Sequence, residues 1–70
     1  MHRTPVVSSN LRSAGYDPSS QTLEIEFNSG GVYQYYNVAQ TVYEQLMVAS
    51  SHGKFFHAHI RNVYGYSKIG

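Results

Sequence analysis

The chain of 70 residues has no cysteine, no tryptophan and only two prolines, and it carries few charges, with five basic and four acidic side chains. The absence of cysteine excludes a disulfide framework and thiolate chemistry, and it is typical of proteins in a reducing compartment. No apolar run is long enough for a signal peptide or a membrane-spanning helix. We therefore expect a cytoplasmic protein that has no membrane partner.

The short length limits the size of the hydrophobic core. Seventy residues make one domain at most, and a chain of this size buries only about 60% of the surface that it exposes when unfolded. We therefore expect the stability to be marginal, or to depend partly on self-association of the chain.

Acidic residues are missing from the last third of the sequence. None follows Glu44, whereas Lys54, Arg61 and Lys68 do, together with three of the four histidines. The net charge of +1 is too small to predict a polyanionic partner by itself. The distribution nevertheless concentrates the basic character near the C-terminal end.

Residues 11–16 and residues 22–27 are the first two predicted strands. In the second of these, three apolar residues alternate with polar ones, which is the period of a half-buried strand. The Asp-Pro-Ser-Ser run at residues 17–20 predicts a turn between them. Proline presets φ in such a turn, and the Asp and Ser side chains can bind its backbone.

The loop between the second and third strands decides which tyrosines are buried. A three-residue loop that ends at Gly30, with this glycine in a left-handed conformation, would set Ile25 opposite Tyr33. A loop of two or four residues would instead set a glutamine beside Ile25, which is the poorer match. We therefore predict that Tyr33 and Tyr35 lie on the core face of the sheet and that Tyr36 lies on its outer face.

The register across the first turn is a weaker hypothesis. A loop over residues 17–21 would set Tyr16 opposite Thr22 and would direct Ser13 and Gly15 inward, where a helix could approach them closely. The outer face would then be an ordinary solvated surface. Its members would be Arg12, Tyr16, Glu24, Glu26, Gln34 and Tyr36.

Two helices are predicted after the strands. Asn37 is expected to cap the first helix, with Gln40 in the capping-box position. Val42 and Leu46 recur on its apolar face at helical spacing. The second helix is expected over residues 54–63.

These elements predict an α+β fold, in which a three-stranded antiparallel β-meander is followed by two α-helices packed on one face of the sheet. Residues 10–66 form the predicted domain, between a flexible lead-in at residues 1–9 and a C-terminal tail at residues 67–70. The predicted core consists of Leu23, Ile25, Phe27, Tyr33, Tyr35, Val42, Leu46, Phe56 and Ile60.

The order of these segments resembles the KTSC domain family, whose short domains are named for the C-terminus of some lysyl-tRNA synthetases and also occur alone in bacterial and phage proteins. The matching segments include residues 23–27, the Y-x-Y motif at residues 33–35 and residues 51–56, within a resemblance that covers residues 8–64. Ala39 departs from the family, which often has proline there. The resemblance implies a module without an established activity, for which RNA binding has been suggested from its attachment to a synthetase.

Three histidines, His52, His57 and His59, invite a metal hypothesis. On a helix, however, His57 and His59 would point about 200° apart, and no cysteine or suitably spaced carboxylate completes a ligand shell. The serines at residues 50–51 adjoin His52, but no third group is placed to orient it as a base. We therefore expect no metal, no cofactor and no enzymatic activity.

Nucleic-acid binding is the leading functional hypothesis. On the second predicted helix, Lys54, His57, Arg61 and Tyr64 would lie within about 80° of one face. Lysine and arginine could neutralise phosphates, and Tyr64 or Tyr36 could stack on an unpaired base. Because only two side chains on this face, those of lysine and arginine, are permanently charged at neutral pH, we expect weak binding of RNA or another single-stranded nucleic acid.

Protein interaction is the alternative hypothesis, and it does not exclude the first. A three-stranded sheet leaves exposed edges, and an outer face with Tyr16, Val32 and Tyr36 could pair with another protein or with a second copy in a homodimer. Tyrosine suits interfaces because its ring adds contact area at a low cost in conformational entropy.

Overall fold

Five antiparallel strands, rather than the predicted three, form the sheet in the computed structural model, which describes all 70 residues, Met1–Gly70. The strands follow one another across the sheet in sequence order. They are β1 (Thr4–Pro5), β2 (Leu11–Asp17), β3 (Thr22–Phe27), β4 (Val32–Tyr35) and β5 (Tyr66–Lys68), and the helices are α1 (Gln40–Val48) and α2 (His52–His59). The predicted α+β class is confirmed, and the predicted strand count was wrong.

The two additional strands lie at the edges of the sheet. β1 pairs with β2, with Thr4 opposite Ala14, and β5 pairs with β4, with Tyr66 opposite Tyr35. They draw on the segments that the sequence predicted to be a lead-in and a tail. Strands of two and three residues are too short to show alternation, so only their long-range backbone pairing identifies them.

The hairpin of β3 and β4 has the predicted register. Ile25 lies opposite Tyr33, and Tyr35 takes the next position on the same face. The turn closes when the Gly30 amide donates to the Phe27 carbonyl at 2.9 Å, and Gly30 has a φ of +108°, which glycine adopts without steric strain. The three-residue loop therefore directs both tyrosines toward the helices.

The register across the first turn differs from the prediction. Tyr16 lies opposite Leu23, because β2 continues one residue further than expected, to Asp17. This shift moves Tyr16 from the outer face to the core face. There its ring stacks on Tyr43 of α1, with centroids 5.3 Å apart, and its hydroxyl donates to the Val38 carbonyl.

A β-bulge at Arg12 changes the start of β2. Leu11 lies opposite Phe27, whereas Ser13 lies opposite the adjacent Glu26, so Arg12 is the extra residue. The bulge returns Leu11 to the core face, where it is buried. Arg12 itself has no partner residue on β3, and it is exposed.

Gly15 allows the N-terminal segment to approach the outer face closely. A β-carbon at this position would collide with the carbonyl of His2, so only glycine fits. Ser13 and Gly15 both face outward instead of inward as predicted. The segment that approaches them is the start of the chain and not a helix.

α1 begins beyond the predicted capping residue. Asn37 has a φ of +59°, a left-handed conformation that asparagine tolerates better than most residues. The N-cap position is Ala39, which makes no side-chain hydrogen bond, so the predicted capping box of Asn37 with Gln40 was wrong. The turn brings the Val38 amide within 2.9 Å of the Gln21 carbonyl and buries Val38.

α2 starts earlier and ends sooner than the sequence predicted. The Ser51 hydroxyl caps it by accepting from the Lys54 amide at 3.2 Å. The helix ends at His59, and Asn62 follows with a φ of +63°, which does not continue a right-handed helix. Val63, the last residue of the predicted helix, is therefore 61% exposed and lies outside the core.

The core lies between the inner face of the sheet and the two helices. Its buried members are Leu11, Ala14, Leu23, Ile25 and Tyr35 from the sheet, and Val38, Leu46, Phe56 and Ile60 from the helices and the residues next to them. Three other residues predicted for the core, Phe27, Tyr33 and Val42, are half-buried and pack against this cluster. The ring of Phe56 meets those of Phe27 and Tyr35 edge to face at 5.3 and 5.5 Å.

A polar network covers part of the outer face, which the sequence predicted to be solvated. Arg3 donates to a carboxylate oxygen of Glu24 and, at 3.1 Å, to the Ser13 hydroxyl. Gln34 of β4 donates to the other Glu24 oxygen at 2.9 Å. Ser13 in turn donates to Glu26 at 3.0 Å. Glu24 is only 5% exposed, so this network joins the N-terminal segment to β2, β3 and β4.

The carboxyl group of Glu24 is stabilised in its ionised form. Burial alone would raise the pKa of Glu24, but the hydrogen bonds from Gln34 and Arg3, with the positive charge of Arg3, outweigh this effect and hold the pKa below its ordinary value. Because the folded-state pKa is depressed, the carboxylate stabilises the fold above the ordinary pKa of glutamate. This contribution is lost as the pH falls through the folded-state value.

Replacement of Tyr35 by alanine should destabilise the protein far more than replacement of Tyr36. Tyr35 is buried against Phe56, so loss of its ring is expected to lower the free energy of unfolding by roughly 3–5 kcal/mol. Tyr36 is only half-buried, and its replacement should cost about 1 kcal/mol. Urea denaturation followed by circular dichroism measures both values, and an equal or reversed order would contradict the register.

Replacement of Glu24 by glutamine should flatten the acid limb of the stability profile. The wild-type chain is expected to lose stability as the pH falls below the ordinary pKa of glutamate and Glu24 takes up a proton, and the variant should lose less over the same interval. Denaturation midpoints across this range measure the difference. Glu44→Gln is the matched control, because Glu44 is exposed on α1 and forms no ion pair; an identical flattening in that variant would contradict the assignment to Glu24.

Candidate functional site

A cleft of about 420 Å³ opens between α2 and the inner face of the sheet near β4 and β5. We call it the aromatic cleft, because half of its lining consists of aromatic side chains. The lining residues are Phe27, Tyr33, Tyr35, Phe56 and Tyr66, with Asn10, Ser29, His57, Arg61 and Asn62 as the polar members. No carboxylate lines it, and the fixed charge of its lining is the guanidinium of Arg61.

Strand pairing brings three tyrosines together in this cleft. Tyr33 and Tyr35 share the inner face of β4, and Tyr66 of β5 lies opposite Tyr35. The ring centroid of Tyr66 is 5.9 Å from that of Tyr33 and 5.7 Å from that of Tyr35. Tyr66 is 59% exposed, so its ring offers an accessible surface at the edge of the cleft.

Tyr35 has a buried ring but a hydroxyl without a partner in the protein. The residue is 5% exposed, yet its hydroxyl makes no side-chain hydrogen bond and is not among atoms sealed from solvent. Burial raises the pKa of Tyr35 to about 12, the nearby hydroxyls of Tyr33 and Tyr66 act in the same direction, and the charge of Arg61 opposes the rise. The phenol therefore stays protonated at neutral pH and presents a hydrogen-bond donor to the cleft.

Arg61 and His57 supply the basic side of the cleft. The Arg61 guanidinium donates from Nη1 to His57 Nδ1 at 3.3 Å. Because arginine can only donate, Nδ1 of this imidazole accepts, and its Nε2 carries the proton. Arg61 thus keeps most of its donors free, and both side chains are exposed.

A second depression of about 410 Å³ adjoins the aromatic cleft. We call it the Lys54 groove; its lining residues are Ser9, Asn10, Ser51, Gly53, Lys54, His57 and Ala58. Asn10 and His57 line both depressions. A continuous surface therefore runs from Tyr66 past Arg61 and His57 to Lys54.

Three of the five residues predicted for nucleic-acid binding lie on this surface. Lys54, His57 and Arg61 line it, although Arg61 lies beyond the end of α2. Tyr64 does not line it, because the helix ends at His59. The Tyr64 ring is instead partly buried and packs against the core. Tyr36 lies apart from it on the outer face, 3.5 Å from Gln34 through its hydroxyl.

Sequence reasoning missed the aromatic part of the surface. Tyr33 and Tyr35 were assigned to the core alone, although both line the cleft. Tyr66 was placed at the end of the domain, with no role. Lys68 lies opposite Tyr33 in the register of β5, which adds a cation beside the cleft. The pairing of β5 with β4 generates these neighbours, and no local signal in the sequence reveals it.

The histidines are engaged separately in the structure. His52 Nδ1 lies 2.8 Å from the Leu46 carbonyl, and the His59 ring is 4.6 Å from that of Phe55. No group of three or more His, Asp or Glu side chains comes close enough to hold a metal ion. The longest helix has nine residues, and none could cross a membrane.

Comparison with known proteins identifies related chains. The KTSC domain family matches residues 7–64. An uncharacterized protein from Stutzerimonas stutzeri is 48% identical over 56 residues, which are 80% of this chain and 79% of that protein. A lysine–tRNA ligase from a Nostoc species is 39% identical over 59 residues, which are 84% of this chain but only 10% of the ligase. The crystal structure of a KTSC domain protein from Yersinia pestis matches with a TM-score of 0.96 and 42% identity, over 99% of this chain and 97% of that one.

Proposed function

The chain belongs to the KTSC domain family, and from this premise we propose that it is a non-catalytic module that binds single-stranded RNA. The binding surface consists of the aromatic cleft and the Lys54 groove. The observation that carries the proposal is that the exposed ring of Tyr66 and the exposed cations Arg61 and Lys54 line two adjoining depressions, with no carboxylate among the lining residues.

The chemistry of this surface suits an unpaired strand. Lys54 and Arg61 are exposed and can each neutralise a backbone phosphate, which releases counterions and makes binding favourable. The exposed ring of Tyr66 can stack on a base, and stacking contributes roughly 1–3 kcal/mol per base with little sequence preference. A duplex keeps its bases stacked internally, so only a single strand can use both contacts.

The larger protein in which a related domain occurs favours RNA over DNA as the ligand. A related domain occurs in a lysine–tRNA ligase, of which it forms about a tenth, and tRNA is named as the substrate of that enzyme. A module with few cations binds weakly alone. Attached to a larger RNA-binding protein, it would raise overall affinity because its own binding step becomes intramolecular.

The proposed role is non-catalytic, because the polar groups beside the cleft are not arranged as a nucleophile and its base. His57 is paired with Arg61 and has no serine, threonine or carboxylate partner. The buried carboxylate, Glu24, lies on the opposite face of the sheet, where Arg3 and Gln34 occupy its oxygens. No nucleophile and general base lie within hydrogen-bond reach of each other beside the cleft.

Self-association is the second candidate, and one observation favours it. Apolar side chains are exposed near the edge strand β5, where Tyr66 and Ile69 are each more than half exposed. An edge strand offers unpaired backbone groups, and a short, partly apolar edge can pair with a copy of itself. Tyr16 cannot contribute to an interface on the outer face, because its ring packs against the core.

Single-stranded RNA should bind with a salt dependence that reports Lys54 and Arg61. We expect the double variant Lys54→Gln/Arg61→Gln to bind more weakly and to lose about 1.4 from the slope of log K against log salt, or roughly 0.7 for each phosphate contact. Fluorescence anisotropy of a labelled unstructured oligonucleotide at several salt concentrations measures both quantities.

Arg12→Gln is the matched control for this titration. Arg12 is an exposed cation that lines neither the aromatic cleft nor the Lys54 groove. It should leave the slope close to that of the wild-type chain. Binding that ignores salt, or an equal loss in the control, would contradict the proposed surface.

The self-association candidate predicts a mass that rises with concentration. Light scattering over a concentration series should then move from 7.9 kDa toward twice that value, and Ile69→Asp should return it to the monomer by placing a charge in the apolar contact. A constant monomer mass in the wild-type chain would remove this candidate and leave the RNA proposal intact.

A further inference from the structure

The Tyr35 hydroxyl extends from a buried ring into the open aromatic cleft. Its ring belongs to the core and is packed edge to face on Phe56. A hydroxyl on so buried a ring ordinarily finds a partner within the protein, yet this one makes no side-chain hydrogen bond and opens to the aromatic cleft. A donor aimed into a cleft in this way is suited to a ligand that carries an acceptor.

The groups around this hydroxyl define the charge of the acceptor. Arg61 lines the same cleft and lies near enough to Tyr35 to influence its ionisation. His57 and Asn62 add N–H donors along the same wall, and no carboxylate competes with a ligand there. A set of donors next to a guanidinium is complementary to an anion, and arginine pairs with phosphate in a two-point geometry.

The rest of the cleft defines what carries the anion. Its volume of about 420 Å³ lies within the range of small-ligand sites, and it exceeds what an isolated phosphate would fill. The exposed Tyr66 ring, at 5.7 Å from that of Tyr35, offers a flat apolar surface beside the donors. A ligand that satisfies both features has a planar ring and a phosphate group within a few ångströms of each other.

We propose that the aromatic cleft is a subsite for one nucleotide, in which Tyr35 and Arg61 bind the phosphate group and Tyr66 stacks on the base. This inference rests on the proposed function and deepens it, since it names the unit of RNA that the cleft accepts and makes Tyr35 a specificity-determining residue. The nucleotide can belong to an RNA strand or be free in solution, because the recognised chemistry is the same.

The hydroxyl can be tested apart from the ring. Tyr35→Phe keeps the packing on Phe56 and removes only the donor, so the fold should persist. Titration of the ¹⁵N-labelled protein with AMP, adenosine and inorganic phosphate, followed by NMR, separates the contributions of phosphate and base. We expect the variant to bind AMP about tenfold more weakly, as for a lost hydrogen bond to a charged group, with adenosine binding unchanged.

A second variant tests the other phosphate-binding residue, and a third is the matched control. Arg61→Gln should reduce AMP binding in the same phosphate-dependent manner, whereas Tyr36→Phe, which removes a hydroxyl from the outer face, should bind as the wild-type chain does. The same variants are also titrated with the labelled unstructured oligonucleotide. Equal affinity of wild type and Tyr35→Phe for both AMP and the oligonucleotide overturns the subsite.

The oligonucleotide arm distinguishes the source of the nucleotide and the level of any failure. Dependence on the Tyr35 hydroxyl for AMP supports a site for free nucleotides, and dependence for the oligonucleotide alone supports a subsite for RNA. If the wild-type chain binds RNA and Tyr35→Phe binds RNA and AMP equally well, the subsite is wrong and the RNA-binding function stands. If the wild-type chain binds no oligonucleotide but binds AMP through Tyr35, the RNA function is wrong and the subsite stands.

Discussion

The pairing of β3 with β4 is the constraint on which the rest of the structure depends. Gly30 sets a three-residue loop, and the loop sets the parity of every side chain on β4. Tyr33 and Tyr35 then face the helices, and Gln34 faces outward to meet Glu24. A slip of one residue would reverse all of these directions. It would bury an amide in the core and would dismantle both the aromatic cleft and the network around Glu24.

The network on the outer face gives the small sheet a second ordered layer. Three of its members come from different strands, because Ser13 lies on β2, Glu24 on β3 and Gln34 on β4. Arg3 joins them from outside the sheet, and Gly15 leaves the space for that approach. A chain of 70 residues has little apolar surface to bury. Buried polar groups that are fully satisfied add specificity to the register, because a slip would leave a carboxylate without its donors.

Local patterns predicted the parts of this fold that local physics determines. Alternation located β3, and loop parity gave its register with β4, because both depend on residues close in sequence. β1 and β5 exist only through long-range pairing, so Tyr66 could not be placed. Lys54, His57 and Arg61 were predicted on one surface and do share one, since the Arg61 side chain still reaches His57 from beyond the helix end. Tyr64 required an uninterrupted helix, and the left-handed turn at Asn62 removed that condition.

The identity of residue 35 separates a structural role from a functional one. A phenylalanine would fill the same space against Phe56 and would carry no hydroxyl. The Tyr35 hydroxyl makes no side-chain hydrogen bond within the protein and meets solvent in the cleft, so it adds no internal hydrogen bond to the fold. Stability therefore accounts for the ring of Tyr35 and not for its oxygen. A ligand that accepts its hydrogen bond beside Arg61 accounts for both, and it gives the cleft a chemical identity that its apolar walls alone would not.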